Sequence, residues 1–163
     1  DLPFFDNNLK HLAQLLKACS GWNLEEVPGM GASGGLPAAL TAFSGASLEK
    51  GFEMIAELVR LEEYIRKADL VITGEGKLDH QTRFGKTPHG VARLTQKHNK
   101  ILVGVGGTLT QDADQLYKEG FHLLLPIVDH PMSLNESLSN AGLLLTKTGE
   151  RIGRMILLSR LLS

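Results

Sequence analysis

The sequence predicts an α/β fold built on a parallel sheet with flanking helices, on three observations. From Asp69 onward, short apolar runs alternate with helical periodicity in the order βαβαβα; glycines cluster directly after the first two runs; and the residues before Asp69 show helical spacing around a separate glycine-rich loop. Strands joined by helices of this length pair in parallel, and their crossovers are right-handed in nearly all known cases. Their carboxyl ends then point one way, and ligands on such sheets sit beyond those ends.

Taken in order, Asp6 can cap a first helix in which Leu9, Leu12, Ala13 and Leu16 recur at helical spacing, and which ends near Cys19, Ser20 and Gly21. A loop with Gly29, Gly31, Gly34 and Gly35 follows, and Pro37 suits the first turn of a short helix running through Phe43, where its missing N–H costs nothing. Ser47 then caps a longer helix whose stripe of Leu48, Phe52, Ile55, Val59, Leu61 and Ile65 is apolar, with Glu49, Glu53, Glu57, Arg60 and Glu63 facing solvent. After Asp69 come a strand at Leu70–Thr73, a helix at Thr87–Lys97, a strand at Ile101–Val105, a helix at Thr110–Glu119 and a strand within Phe121–Val128. A last helix opens at Ser133, where Ser-Leu-Asn-Glu136 has the pattern of a capping box. The division is therefore into 1–68, helical and glycine-rich, and 69–163, βαβαβα.

Composition excludes several classes. The 163 residues are 42% hydrophobic, and 17 Lys+Arg against 18 Asp+Glu leave a net charge of -1. That balance fits a globular chain and offers no electrostatic footprint for nucleic acid or an anionic membrane. No apolar run approaches the roughly 20 residues that a membrane span needs. The single Cys19 cannot form an internal disulfide or a Cys-based zinc site, so a reducing, cytoplasmic setting is expected. The chain opens on Asp1 with no basic and apolar leader, which reads as a processed chain or a piece of something longer.

The stretch from Gly74 to Pro88 reads as one strand-to-helix loop holding Glu75, Asp79, Lys77, Arg83, Lys86, Gln81 and the glycines Gly74, Gly76 and Gly85. With Thr87 as N-cap and Pro88 in the first turn, unpaired N–H groups and the positive end of the helix dipole would face whatever this loop holds. Lys86 can bridge phosphate oxygens, and Glu75 or Asp79 can hold magnesium or accept a proton from a hydroxyl. Gly85-Lys86-Thr87 is not a Walker motif, because that spacing requires glycine at position 80, which is His80. Gly29 to Gly34 satisfies G-x-G-x-x-G as a string but lacks a convincing strand before it, so a dinucleotide fingerprint is not expected. Its glycines let backbone N–H groups approach a phosphate or carboxylate, or let helices pack closely. Gly106 and Gly107 end the second strand on the same edge as Gly74 and Gly76.

Two stretches carry a resemblance. Pro28 to Leu36 is similar to the PGAGAAGG segment, and Asp69 to Ala92 to the DLVITGEGRLDxQTxxGKxPxGVA segment, of bacterial glycerate kinases of the GarK/GlxK type. Met30 and Ser33 replace alanines, Lys77 replaces an arginine and Pro37 is unusual. The resemblance extends over essentially the whole chain and places it in the C-terminal portion of such enzymes. It implies ATP-dependent phosphorylation of D-glycerate with Mg2+, 2-phosphoglycerate being the favoured product. It also implies that 69–163 belongs to a Rossmann-like domain shared with an N-terminal half absent here, and 1–68 mostly to a second domain.

On that reading Lys86 and the helix start at Thr87 take phosphate oxygens. Asp79 serves the glycerate hydroxyl or magnesium, and Glu75 serves magnesium or loop geometry. Gly29, Gly31, Gly34, Gly35, Gly74, Gly76, Gln81, Thr82, Gly85, Thr87, Gly106 and Gly107 line the substrate and ATP sites. The chain alone is expected to be inactive, and its open sheet edge invites a homo-oligomer. The rival reading is a noncatalytic α/β module that binds a small anionic metabolite through the same glycines.

Overall fold

Three parallel strands form the centre of the computed structural model, which describes residues 1–79 and 86–162. β1 (Leu70–Leu78), β2 (Ile101–Leu109) and β3 (Leu123–Pro126) lie side by side in chain order. Both pairs are parallel, with Ile72 opposite Val103 and Val105 opposite Leu125. The expected α/β sheet with flanking helices is therefore present.

β1 and β2 are longer than their apolar runs. Gly74 to Leu78, expected as loop, continues β1, and Gly106 to Leu109 continues β2. The two extensions satisfy each other's backbone groups, with Glu75 opposite Gly106 and Lys77 opposite Thr108. Glycine here permits close approach of strands and does not mark a turn: a Cβ on Gly74 would stand 2.8 Å from the Val105 carbonyl oxygen, and one on Gly107 would overlap the Gly76 carbonyl oxygen.

α5 (Thr87–Lys97) covers one face of the sheet. Its Val91 and Ala92 join Ile65, Leu78, Leu102, Leu116, Phe121 and Leu124 in one apolar cluster. Lys86, not Thr87, is the boundary residue. It keeps extended backbone (φ -76°, ψ 159°), and its carbonyl accepts from the N–H groups of His89 and Gly90. After β2 a short 3₁₀ segment, Ala113–Glu119, replaces the expected α-helix. Thr110 is tied back to the end of β1 through its N–H and hydroxyl, both donating to the Leu78 carbonyl, which delays the turn.

On the other face Val103 and Val105 pack with Ile127, Leu144 and Ile152. α6 (Leu134–Ser139) begins as expected at Ser133, whose Oγ accepts the Glu136 N–H at 3.2 Å. The chain then breaks at Asn140, and α7 (Ala141–Leu162) runs on as a separate helix.

The long helix expected after Ser47 is two, α3 (Gly51–Leu58) and α4 (Leu61–Lys67), because Arg60 adopts a left-handed conformation (φ 54°) between them. The chain divides into two units, Asp1–Lys50 and Gly51–Ser163. The change of pattern at Asp69 thus falls inside the second unit, since Phe52 of α3 and Leu61 and Ile65 of α4 pack into the same cluster as α5.

The first unit is α1 (Leu2–Ser20) and α2 (Ala32–Ser44) around Leu16, Leu24, Met30 and Ala38. α1 starts before Asp6, with Pro3 in its first turn, and ends at left-handed Gly21. The first turn of α2 is irregular: Ser33, Gly34 and Gly35 all have positive φ, and regular helix begins only around Pro37. Among the described residues no helix is long and apolar enough to cross a membrane.

Candidate functional site

The carboxyl ends of β1 and β2 meet the start of α5 at an ion pair. Glu75 lies on the same side of β1 as Val71 and Thr73, the side that α5 covers, and its Oε1 is 3.2 Å from the Lys86 ammonium at the mouth of that helix. Its other oxygen, Oε2, is buried and has no hydrogen-bond partner among the described residues. A buried acceptor left without a donor costs free energy, and such an atom is commonly explained by an ion or ligand that it awaits. Asp79, just beyond β1, is largely buried and paired with Lys77 at 3.4 Å. Thr87 is exposed in the first turn of α5.

A cleft of about 860 Å³ is lined in part by Glu75. Ile72, Gly74, Gly76, Val105 and Gly107 form its floor, Thr73, Glu75 and Thr108 one polar end, and Val128 and Met132 of the loop after β3, Ser137 and Leu138 of α6, and Leu145 and Ile152 of α7 its mostly apolar wall. Glu75, Gly74, Gly76, Gly106 and Gly107 therefore come together as the sequence suggested, along paired strands and not in a loop. Gln81, Thr82 and Gly85 lie outside the described residues.

The glycines of the first unit have structural work of their own. Gly29 and Gly35 have positive φ, and a Cβ at either would press on Leu48 or Leu12 respectively. Gly31 stands against Leu9 with ordinary contact, while Gly34 (φ 71°) is exposed with nothing within 4 Å of its Cβ position. Close packing of α1 and α2 accounts for Gly35, and a left-handed turn against Leu48 accounts for Gly29, without a ligand.

The apolar wall was not legible as a site. The spacing of Leu145 and Ile152 marks a helix face, but only the structure reveals that both residues line the cleft at the strand ends. The wall is braced by Asp129, next to Val128, whose carboxylate reaches His130 at 2.7 Å, Lys147 at 3.2 Å and Arg151 at 3.4 Å. The hydrogen bond with His130, and then that with Lys147, holds the Asp129 carboxyl down to about 2.

The model of the glycerate kinase family matches residues 1–157. The chain belongs to the glycerate kinase family. Both segments that carry the resemblance, 28–36 and 69–92, fall inside the matched residues. The chain is 40% identical over 136 residues to glycerate 2-kinase of Escherichia coli strain K12, covering 83% of this chain and 36% of that protein. It is 33% identical over 159 residues to the glycerate kinase of Bacillus subtilis strain 168, covering 98% of this chain and 42% of that one. A crystal structure described as glycerate kinase 2 of Salmonella typhimurium LT2 is similar with a TM-score of 0.70 at 31% identity, over 93% of this chain and 38% of the other. The chain thus spans about two fifths of the length of these glycerate kinase relatives.

Proposed function

We propose that this chain supplies one wall of the active site of a cytoplasmic, ATP-dependent glycerate kinase that converts D-glycerate to 2-phosphoglycerate. The rest of the site would come from the part of the relatives' length that this chain does not span. The observation that carries the reading is the Glu75–Lys86 pair at the carboxyl ends of a parallel sheet, with one carboxylate oxygen buried and unpartnered, inside a family match that covers nearly the whole chain. The name of the Escherichia coli relative, a glycerate 2-kinase, supports the 2-phosphate as product.

Phosphoryl transfer depends on positioning and charge neutralisation more than on covalent chemistry by the protein. In this proposal the Lys86 ammonium and the N–H groups at the start of α5 hold phosphate oxygens. Asp79 accepts the proton of the glycerate hydroxyl as its oxygen bonds to the γ-phosphorus and ADP leaves. Magnesium is commonly held by one or two carboxylates together with substrate phosphates, and the orphaned Glu75 Oε2 fits that requirement. When bound, the ion would neutralise charge on the phosphates. Glu75 also orients Lys86 through their ion pair.

The test is a coupled assay with ATP and D-glycerate on this chain alone and on the chain completed by the missing part of a relative. The chain alone should show no turnover, because half a cleft leaves donor and acceptor unaligned. The completed protein should form 2-phosphoglycerate. No product from a folded, completed protein would refute the proposal.

A further inference from the structure

We infer that the outward face of α7 is a self-association surface, on which a second copy of this chain packs antiparallel about a two-fold axis at the level of Met155. The inference goes beyond the kinase reading and does not depend on it.

α7 has two halves of different character. Leu144, Thr148 and Ile152 turn one face of the first half into the interior. From Gly153 to Leu161 no residue is buried, yet the stretch carries Met155, Ile156, Leu157, Leu158 and Leu161. Leu157 is 60% and Leu161 81% exposed. A helix that is apolar around most of its circumference is normally buried, and this stretch is far shorter than the roughly 20 residues that a membrane span needs.

The face is complementary to itself. Gly149, Gly153, Leu157 and Leu161 follow at i, i+4 spacing and form one ridge on the side of α7 turned away from Thr148, the kind of ridge with which helix pairs interlock. Nothing stands within 4 Å of the position a Cβ would take at Gly149 or Gly153, so packing within the chain does not require glycine at either, and glycine inside a helix costs stability. In an antiparallel pair centred at Met155, Leu157 of one copy meets Gly153 of the other and Leu161 meets Gly149, so that two large side chains enter two notches.

The same register sets Glu150 opposite Arg160 of the second copy, twice over, because a two-fold interface repeats each contact. A parallel pair would set Glu150 against Glu150 and Arg160 against Arg160. Charge complementarity thus selects the antiparallel pair, in the one register that also matches leucine to glycine. Glu150 already reaches Arg154 on its own helix at 2.8 Å, and both side chains are well exposed, which leaves the carboxylate open to a second cation. Two helical stretches of this length bury less than the roughly 1,200 Å² of a standard interface, so the dimer forms reversibly as concentration rises.

The experiment is sedimentation velocity on the 163-residue chain from low to high micromolar concentration, with a circular-dichroism melt of every variant. The parent should pass from monomer to dimer. Leu157→Lys should weaken the dimer at least tenfold without lowering the melting temperature, since the side chain is exposed. Gly153→Leu is the sharper variant: it should melt at or above the temperature of the parent, because leucine is the better helix former, and still dimerise at least tenfold more weakly, because the notch is filled. Association by general stickiness would instead be strengthened by the added leucine. Glu150→Arg alone should weaken the dimer, and Arg160→Glu in the same chain should restore it. The inference is overturned if the parent stays monomeric throughout, if folded Leu157→Lys dimerises as the parent does, which would move association to another surface such as the open sheet edge, if Gly153→Leu dimerises as well as or better than the parent, or if the charge exchange fails to restore what Glu150→Arg removes.

Discussion

Thr148→Val should stabilise the protein, although it deletes a hydroxyl from the interior. Thr148 is 2% exposed and sits four residues from both Leu144 and Ile152, on the face of α7 that packs against the sheet. Its Oγ1 has no hydrogen-bond partner among the described residues. The usual relief, a bond to the carbonyl four residues back, is made by Thr146 to Gly142 at 2.9 Å and by Thr95 to Val91 at 3.1 Å, but not by Thr148. Burying an unpaired hydroxyl costs about 1–3 kcal/mol. Valine has nearly the same shape, leaves no cavity, and is about as good a helix former as threonine. The variant should therefore gain about 1 kcal/mol or somewhat more, raising the melting temperature by about 2–4 °C per kcal/mol for a chain of this length. Urea unfolding followed by circular dichroism gives the free energy, with an unchanged m-value as the check that the denatured state is unaltered. Thr95→Val is the control of opposite sign, because Thr95 Oγ1 also donates to Ala92 at 2.8 Å, and it should cost about 0.5–1.5 kcal/mol. A loss of stability in Thr148→Val comparable to that in Thr95→Val would refute the reasoning, since the hydroxyl would then have a partner.

Gly90→Ala should destabilise by about 1–3 kcal/mol in the same assay, because the new methyl group would overlap the Phe52 ring. Shortening Phe52 to leucine in the same chain should recover part of the loss. The carboxyl of Asp129 titrates lower in the folded chain, at about 2, than its ordinary 3.8, so its contribution is present above about pH 4 and is lost as pH falls toward 2. Asp129→Asn should therefore be less stable than the parent near neutrality, and the two should converge between pH 4 and 2. Lys86→Ala should change stability by no more than about 1 kcal/mol, because its pair with Glu75 is partly exposed, yet slow the completed enzyme by about 10- to 100-fold. Asp79→Asn should lower the catalytic rate of the completed enzyme by at least about a hundredfold with the fold intact; a near-normal rate would move the proton acceptor to Glu75.

What the sequence made legible is what local patterns encode. Helix α5 and the Ser133 cap are set by spacing within a few residues, and the apolar runs at Leu70, Ile101 and Leu123 announce a buried parallel sheet. The halves of β1 and β2 beyond Thr73 and Val105 were hidden. Gly-Glu-Gly-Lys and Gly-Gly-Thr are dominated by glycine, which disfavours strands, and what makes them strands is each other, across about 30 residues of chain. The left-handed Arg60 was hidden as well, since the apolar stripe of α3 continues across it into α4. Of the candidate site, the charged pair could be read from residue types, whereas the apolar wall depends on where α7 comes to rest.

The packing of Gly74 and Gly107 changes how mutational data from this region should be interpreted. Because side chains at either position would strike the neighbouring strand, lost activity in such variants would report a pried-open sheet as readily as a lost ligand contact. Gly76, two residues from Gly74 on the same strand, has no such confounding neighbour. The effect of a substitution there is free of that ambiguity, which makes Gly76 the informative glycine in any screen of this edge.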